Sequence, residues 1–253
     1  MSLKVTYIGH ATTLIAWDNL TLLTDPVFSS RILYSRRSEP LGFNPSDLPK
    51  LDAILLSHAH YDHLDLFSYK FIPSEVPILI PEGMSGAISS FVNNPIIELA
   101  TWGRYKIGKE LEICAVPARH PGGRFLFPYR YPKCHGYILT KGGENIYFAG
   151  DTAYRNDFKD LGSLYKPKLA LLPFATSSKN RWVRSRHMNV EDAIQAWEDL
   201  GEPDLLPIHW GTFFTFMNSP DHLLSQLKRK TETHPKFKEK LHLANPSETI
   251  TFG

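Results

Sequence analysis

Apolar residues run along the first part of the chain in short blocks separated by turns. Residues 3–8 and 12–17 form two such blocks, Asp18-Asn19 makes a turn, and residues 20–23 return, which predicts an antiparallel start. Residues 53–56 are wholly apolar and end at Ser57-His58, the pattern of a strand buried on both faces that delivers its last residues to a site. Further strands are expected at 78–80, 96–99, 111–116, 136–139, 146–149, 169–172 and 205–208, with Gly142-Gly143 as a hairpin turn.

Helical spacing is rarer. Val190, Ala193, Ile194, Trp197 and Leu200 recur along one face, with Asn189 placed as the cap, Asp192 at the third helical position and Gly201 just past the end. A second helix is predicted from Pro220 through Leu223, Leu224 and Leu227 to Lys228–Lys230, and a third begins in 64–71. The stretch from Phe125 to Lys133 is an aromatic, proline-containing loop; the alternation of Phe125, Phe127, Tyr129 and Tyr131 reads as a half-buried strand or as an apolar lip. Strands dominate, helices are interspersed, and neither repeat nor linker interrupts the pattern, so one α/β domain over 1–253 is expected.

Composition narrows the class. Hydrophobic residues make up 42% and charged residues 21%, far from the regime of disorder. A formal charge of +2 is too small for a nucleic-acid binder. Two basic clusters, Arg31/Arg36/Arg37 and Lys179/Arg181/Arg184/Arg186, are either a solvated rim or a phosphate-recognising surface. Cys114 and Cys134 are too few for a disulfide framework, and Met1 leads straight into a strand with no apolar leader, which together suggest a cytoplasmic protein. No apolar run approaches the roughly 20 residues of a membrane span.

Chemistry concentrates in His58-Ala59-His60-Tyr61-Asp62-His63. At an extended strand end, residues two apart point the same way, so His58 and His60 can share one metal ion, while a following turn carries Asp62 and His63 to a neighbouring ion. The remaining ligands should lie at later strand ends, where His120, Asp151 and His209 each follow an apolar run. His222, His234 and His242 lack that setting and read as surface residues.

The HxHxDH motif, Gly150-Asp151-Thr152 and the late His209 together resemble the metallo-β-lactamase-fold superfamily, in order and over essentially the whole chain. The resemblance implies an αββα sandwich with a dinuclear site at one edge of its two sheets. Within it, Leu23-Thr24-Asp25-Pro26-Val27-Phe28-Ser29-Ser30-Arg31, His60-Tyr61-Asp62-His63-Leu64-Asp65, Arg181-Trp182, His187-Met188-Asn189-Val190-Glu191-Asp192-Ala193 and Ile208-His209-Trp210-Gly211-Thr212-Phe213 resemble the N-acyl-phosphatidylethanolamine-hydrolysing phospholipase D branch. The segment Gly9-His10-Ala11 is similar to ascorbate-6-phosphate lactonases, which fit less closely in the later motifs.

Carried over by motif, the resemblance gives His58, His60 and His120 to one ion and Asp62, His63 and His209 to the other, with Asp151 bridging them. Asp25 matches an early aspartate that orients a ligand histidine through its other ring nitrogen. Asp62 and His187 become the catalytic candidates, and His187, Arg124 and Arg181 the candidate substrate contacts. Two divalent ions against Asp62, Asp151 and a bridging hydroxide leave about +1, a site suited to an anionic substrate attacked by metal-bound hydroxide. Zinc suits histidine-rich ligation best, with manganese or iron as alternatives.

The leading expectation is a phosphodiesterase on an anionic small molecule, either phospholipid-like or another small phosphodiester, with no transmembrane segment and with peripheral membrane contact left open. A carboxylic-ester or lactone hydrolase is the alternative. A nuclease is disfavoured by the short segment between Asp151 and His209, and a non-enzymatic metal-binding role by the intact ligand set.

Overall fold

The computed structural model describes residues 2–124, 133–213 and 220–253, and the side chains within them except those of residues 220 and 221. The predicted loop from Phe125 to Lys133, with its alternating aromatics, lies outside the described residues apart from Lys133.

In chain order the strands are β1 Leu3–Gly9, β2 Thr12–Trp17, β3 Leu20–Thr24, β4 Arg31–Ile32, β5 Ser35–Arg36, β6 Ala53–Leu55, β7 Ile78–Pro81 and β8 Ile96–Leu99. There follow β9 Arg104–Ile107, β10 Leu111–Pro117, β11 His135–Lys141, β12 Glu144–Phe148, β13 Leu169–Pro173, β14 Asp204–Ile208 and β15 Glu248–Phe252. They assemble into a seven-stranded sheet of order β15-β1-β2-β3-β6-β7-β8 and a six-stranded sheet of order β14-β13-β12-β11-β10-β9, with β4-β5 as a separate hairpin. In the first sheet β1–β3 run as an antiparallel meander and β3, β6, β7 and β8 pair in parallel. In the second, β12, β13 and β14 are parallel.

The alternation of side chains along each strand builds the layers. On β10, Leu111, Ile113 and Ala115 join the core between the sheets, while Cys114 and Val116 face outward; on β13, Leu169 and Leu171 go inward, Ala170 and Leu172 outward. The outward face of the second sheet is covered by the helices α1 Phe158–Tyr165, α3 Val190–Asp199, α4 Pro220–Thr233 and α5 Pro235–Lys240; the short α2, Arg181–Arg184, precedes α3. The outward face of the first sheet is covered differently, by Leu51, Leu64, Tyr69, Ile72, Met84 and Ile88 from loops and tight turns.

That covering corrects the expected third helix. Residues Leu66–Phe71 form a 3₁₀ turn, capped by the Asp65 carboxylate, which accepts from the Phe67 N–H and the Ser68 hydroxyl. Asn189 caps α3 as expected, and Asp192 returns a bond to the Asn189 N–H to complete a capping box. Gly142 and Gly143 turn β11 into β12 with φ of 57° and 84°, a conformation open to glycine at little cost. Strands β9 and β15 were not anticipated. Among the described residues no helix is long and apolar enough to cross a membrane.

Candidate metal centre

The site forms where loops leave one edge of both sheets. From the first sheet, the chain leaves β6 after Leu55 and runs through Leu56, Ser57 and His58 into the turn that carries His60, Asp62 and His63. That turn is closed by bonds from the His63 and Leu64 N–H groups to the His60 carbonyl and is tied to the following chain by the Ala59 N–H to the Gly122 carbonyl. From the second sheet, His120 follows β10, Asp151 follows β12 and His209 follows β14. Gly150 makes their approach possible. Its φ is +58°, and a Cβ there would stand 2.5 Å from the Ser57 Cβ, so any side chain would push the two loops apart.

The seven expected ligands are brought together, and two further histidines join them. His58, His60 and His120 present ring nitrogens to one another, with His60 Nδ1 and His120 Nε2 3.0 Å apart. Asp62, His63 and His209 form a second group together with His10. Asp151 lies between: its Oδ2 is 3.1 Å from His209 Nε2, 3.6 Å from His120 Nε2 and 3.7 Å from His63 Nε2. His187 approaches the same oxygen through Nδ1 at 3.5 Å.

Hydrogen bonds behind the cluster fix the rings. Asp25 is fully buried and accepts from the Ser57 N–H at 2.7 Å, from the Ser57 hydroxyl at 2.7 Å and from His63 Nδ1 at 2.6 Å. The bond to Nδ1 leaves His63 Nε2 facing the cluster. His120 is set the same way, its Nδ1 donating to the Arg186 carbonyl at 2.9 Å. Burial forces the His58 ring well below its usual range, with His63 adding repulsion. Burial would likewise lower His209, but Asp151 and Asp62 overcome it and raise the ring to about 10. Asp151 titrates far below the ordinary carboxylate range: burial opposes ionisation, and His209, His120 and His187 outweigh it.

The donor set fits cations. Among the described residues, His58 Nε2, His63 Nε2, His187 Nδ1, both ring nitrogens of His209 and Asp151 Oδ1 are buried and find no hydrogen-bond partner. Unsatisfied polar atoms in such numbers are expensive unless a ligand satisfies them.

The arginines are placed differently. The Nη1 of Arg124 donates to the carbonyls of Ala59 and Leu64 at 3.0 and 3.3 Å, and its guanidinium lies 4.0 Å from the Tyr61 ring centroid, so it braces the turn bearing the histidines. Arg181 is exposed at the start of α2. His242 pairs with Asp204 at 2.9 Å, on a strand end away from the cluster. His10 stands in none of the ligand motifs of the sequence, yet it joins the site. The available signal is the one that marks His120 and His209: a histidine within three residues of the end of an apolar strand.

A family model described as the beta-lactamase superfamily domain matches residues 21–210. An uncharacterised protein of Mycobacterium tuberculosis is 34% identical over 83% of this chain and 59% of its own length. An N-acyl-phosphatidylethanolamine-hydrolysing phospholipase D of Caenorhabditis elegans is 30% identical over 83% of this chain and 64% of its own. The chain thus spans about three fifths of the length of these curated relatives. The solved metallo-hydrolase Igni18 of Ignicoccus hospitalis is 25% identical, with a TM-score of 0.75, covering 100% of this chain and 99% of that one. The family match over residues 21–210 and the shared architecture establish that this chain belongs to the beta-lactamase superfamily and has the metallo-β-lactamase fold.

Proposed function

We propose that this chain is a metal-dependent hydrolase with two divalent ions, one held by His58, His60 and His120 and the other by Asp62, His63 and His209, with Asp151 between them. The observation that carries the reading is the convergence, from both sheets on one point of the molecule, of buried nitrogens and a carboxylate oxygen that find no hydrogen-bond partner among the described residues. The donors are mainly imidazole with two carboxylates, a set that suits zinc and also admits manganese or iron. When bound, such ions supply Lewis-acid activation of water and a clamp for negative charge developing on the substrate.

The chain's own residues do the positioning. Asp25 and the Arg186 carbonyl hold His63 and His120 so that their Nε2 atoms face inward. His187, with a side chain 23% exposed and a nitrogen 3.5 Å from Asp151, stands at the rim and is suited to contact a substrate oxygen or protonate a leaving group. Arg181 offers an exposed cation for an anionic substrate, whereas Arg124 acts through the turn it braces.

We infer a phosphodiester substrate, either phospholipid-like or a small phosphodiester, because the nematode relative is named for the hydrolysis of a phospholipid and the segments around His187 and His209 resemble that branch in sequence. Two free, buried cysteines fit a reducing compartment such as the cytoplasm. The test is parallel turnover of an aryl phosphodiester, N-acyl-phosphatidylethanolamine and a lactone series, with metal content measured on the same preparation. Phosphodiester cleavage that follows metal content supports the reading. Turnover of lactones alone establishes the carbonyl-ester alternative, and the absence of bound metal overturns both.

A further inference from the structure

His10 occupies a position built with unusual care. It sits between β1 and β2 at φ +58°, a region uncommon for residues other than glycine, with Gly9 before it at φ +131°. Its N–H is held by the Tyr7 hydroxyl at 3.0 Å and the Thr212 hydroxyl at 2.6 Å, and its carbonyl accepts the His209 N–H at 2.8 Å. The residue is 5% exposed; its ring stands 3.9 Å from that of His209 between centroids, tilted by 44°, and brings Nε2 to 3.0 Å from Asp62 Oδ2.

Asp62 needs such a partner. Its side chain is 32% exposed at a turn, against 2% for Asp151, and among the described residues its other charged neighbours stand back at 3.6 Å (His209) and 3.9 Å (His63). A carboxylate in that setting would otherwise rotate toward water. His10 therefore contacts two of the three residues assigned to one ion, Asp62 through its ring and His209 through its backbone carbonyl and a tilted ring contact, and makes no hydrogen bond to His58, His60 or His120.

We propose that His10 is a positioning residue for one ion of the pair, fixing Asp62 and His209 in the orientation that ion requires while leaving the His58–His60–His120 group untouched. The proposal rests on the two-ion reading above and predicts an asymmetry that this reading alone does not.

The experiment titrates metal-free protein with zinc against a chelating indicator, with cobalt absorption as a second readout that depends on ligand geometry. His10→Asn keeps a residue tolerant of the positive φ but falls short of Asp62; His10→Gln restores an N–H donor at greater reach. His10→Asn should bind one ion as the native protein does and the other about 10- to 100-fold more weakly, with His10→Gln recovering part of the loss. Native binding of both ions by His10→Asn, or equal weakening of both, overturns the proposal. A native protein that binds no ion overturns the two-ion reading, and the role of His10 falls with it.

Discussion

His63 Nδ1 and Asp25 Oδ2 lie 2.6 Å apart with both side chains wholly shielded from solvent. The same carboxylate also holds the Ser57 N–H and hydroxyl, so one buried charge sets both the direction of the strand end and the presentation of the ring. Burial opposes the charged His63 ring, and the neighbouring Asp25 and Asp62 carboxylates outweigh it, so the ring is raised above its usual range.

Replacing Asp25 by Asn should therefore weaken metal binding without removing a proposed ligand. The expected loss is about 10- to 100-fold in affinity. Chelator competition on purified protein measures it, and an affinity equal to the native value would separate Asp25 from the metal centre.

His187 should behave in the opposite way. His187→Gln is expected to keep the full metal content and lose about 10²- to 10⁴-fold in kcat. Metal analysis beside steady-state kinetics distinguishes the roles: loss of an ion would make His187 a ligand rather than a substrate contact.

Gly150→Ala tests the close approach of the two loops. The new methyl group would meet the Ser57 Cβ at 2.5 Å, on a backbone with φ +58°. Overpacking plus backbone strain should cost about 1–3 kcal/mol, read as a lower midpoint in urea. An unchanged midpoint would mean that the loops can move apart freely.

A pH dependence follows from His135, whose ring belongs to none of the ligand groups. Burial lowers it first and Lys133 lowers it further, to about 4, while Nε2 pairs with the Thr101 hydroxyl. The unfolded chain takes up a proton on this residue near pH 6.5 and the folded protein only near 4, so its contribution is complete above 6.5, declines as pH falls through that window and is gone by about 4. The full difference is on the order of 3 kcal/mol. Urea unfolding of native protein and His135→Asn between pH 7 and 4 should show the two stabilities converging as pH falls; a constant gap would count against this assignment.

How much of this was legible in the sequence depended on burial. Residues 53–55, 146–148 and 169–172 are fully enclosed or nearly so, and their unbroken apolar runs announced them as strands. Strands β9 and β15 are edge strands with Arg104, Lys106, Glu248 and Thr249 among their residues, and alternation with charge resembles a loop until a partner strand is known. Helix α1 was hidden because Gly162 argues against a helix, whereas here a Cβ at that residue would meet the Asp199 carbonyl at 2.4 Å, so glycine permits the contact with the end of α3. The four groups from His58 to His63 were found by spacing. His10 has no spacing to betray it, and Arg124 reads as a surface cation until its carbonyl partners are seen.

The division of the cluster between the sheets has a mechanical side. His10, His58, His60, Asp62 and His63 belong to the first sheet's loops, and His120, Asp151, His187 and His209 to the second's. An ion pair coordinated from both sides would rivet two layers that otherwise meet mainly through apolar packing, in addition to bonds such as His209 N–H to the His10 carbonyl. Chelation would then loosen this rim before the remainder of the sandwich, so that metal supply would govern the protein's resistance to proteolysis as well as its chemistry.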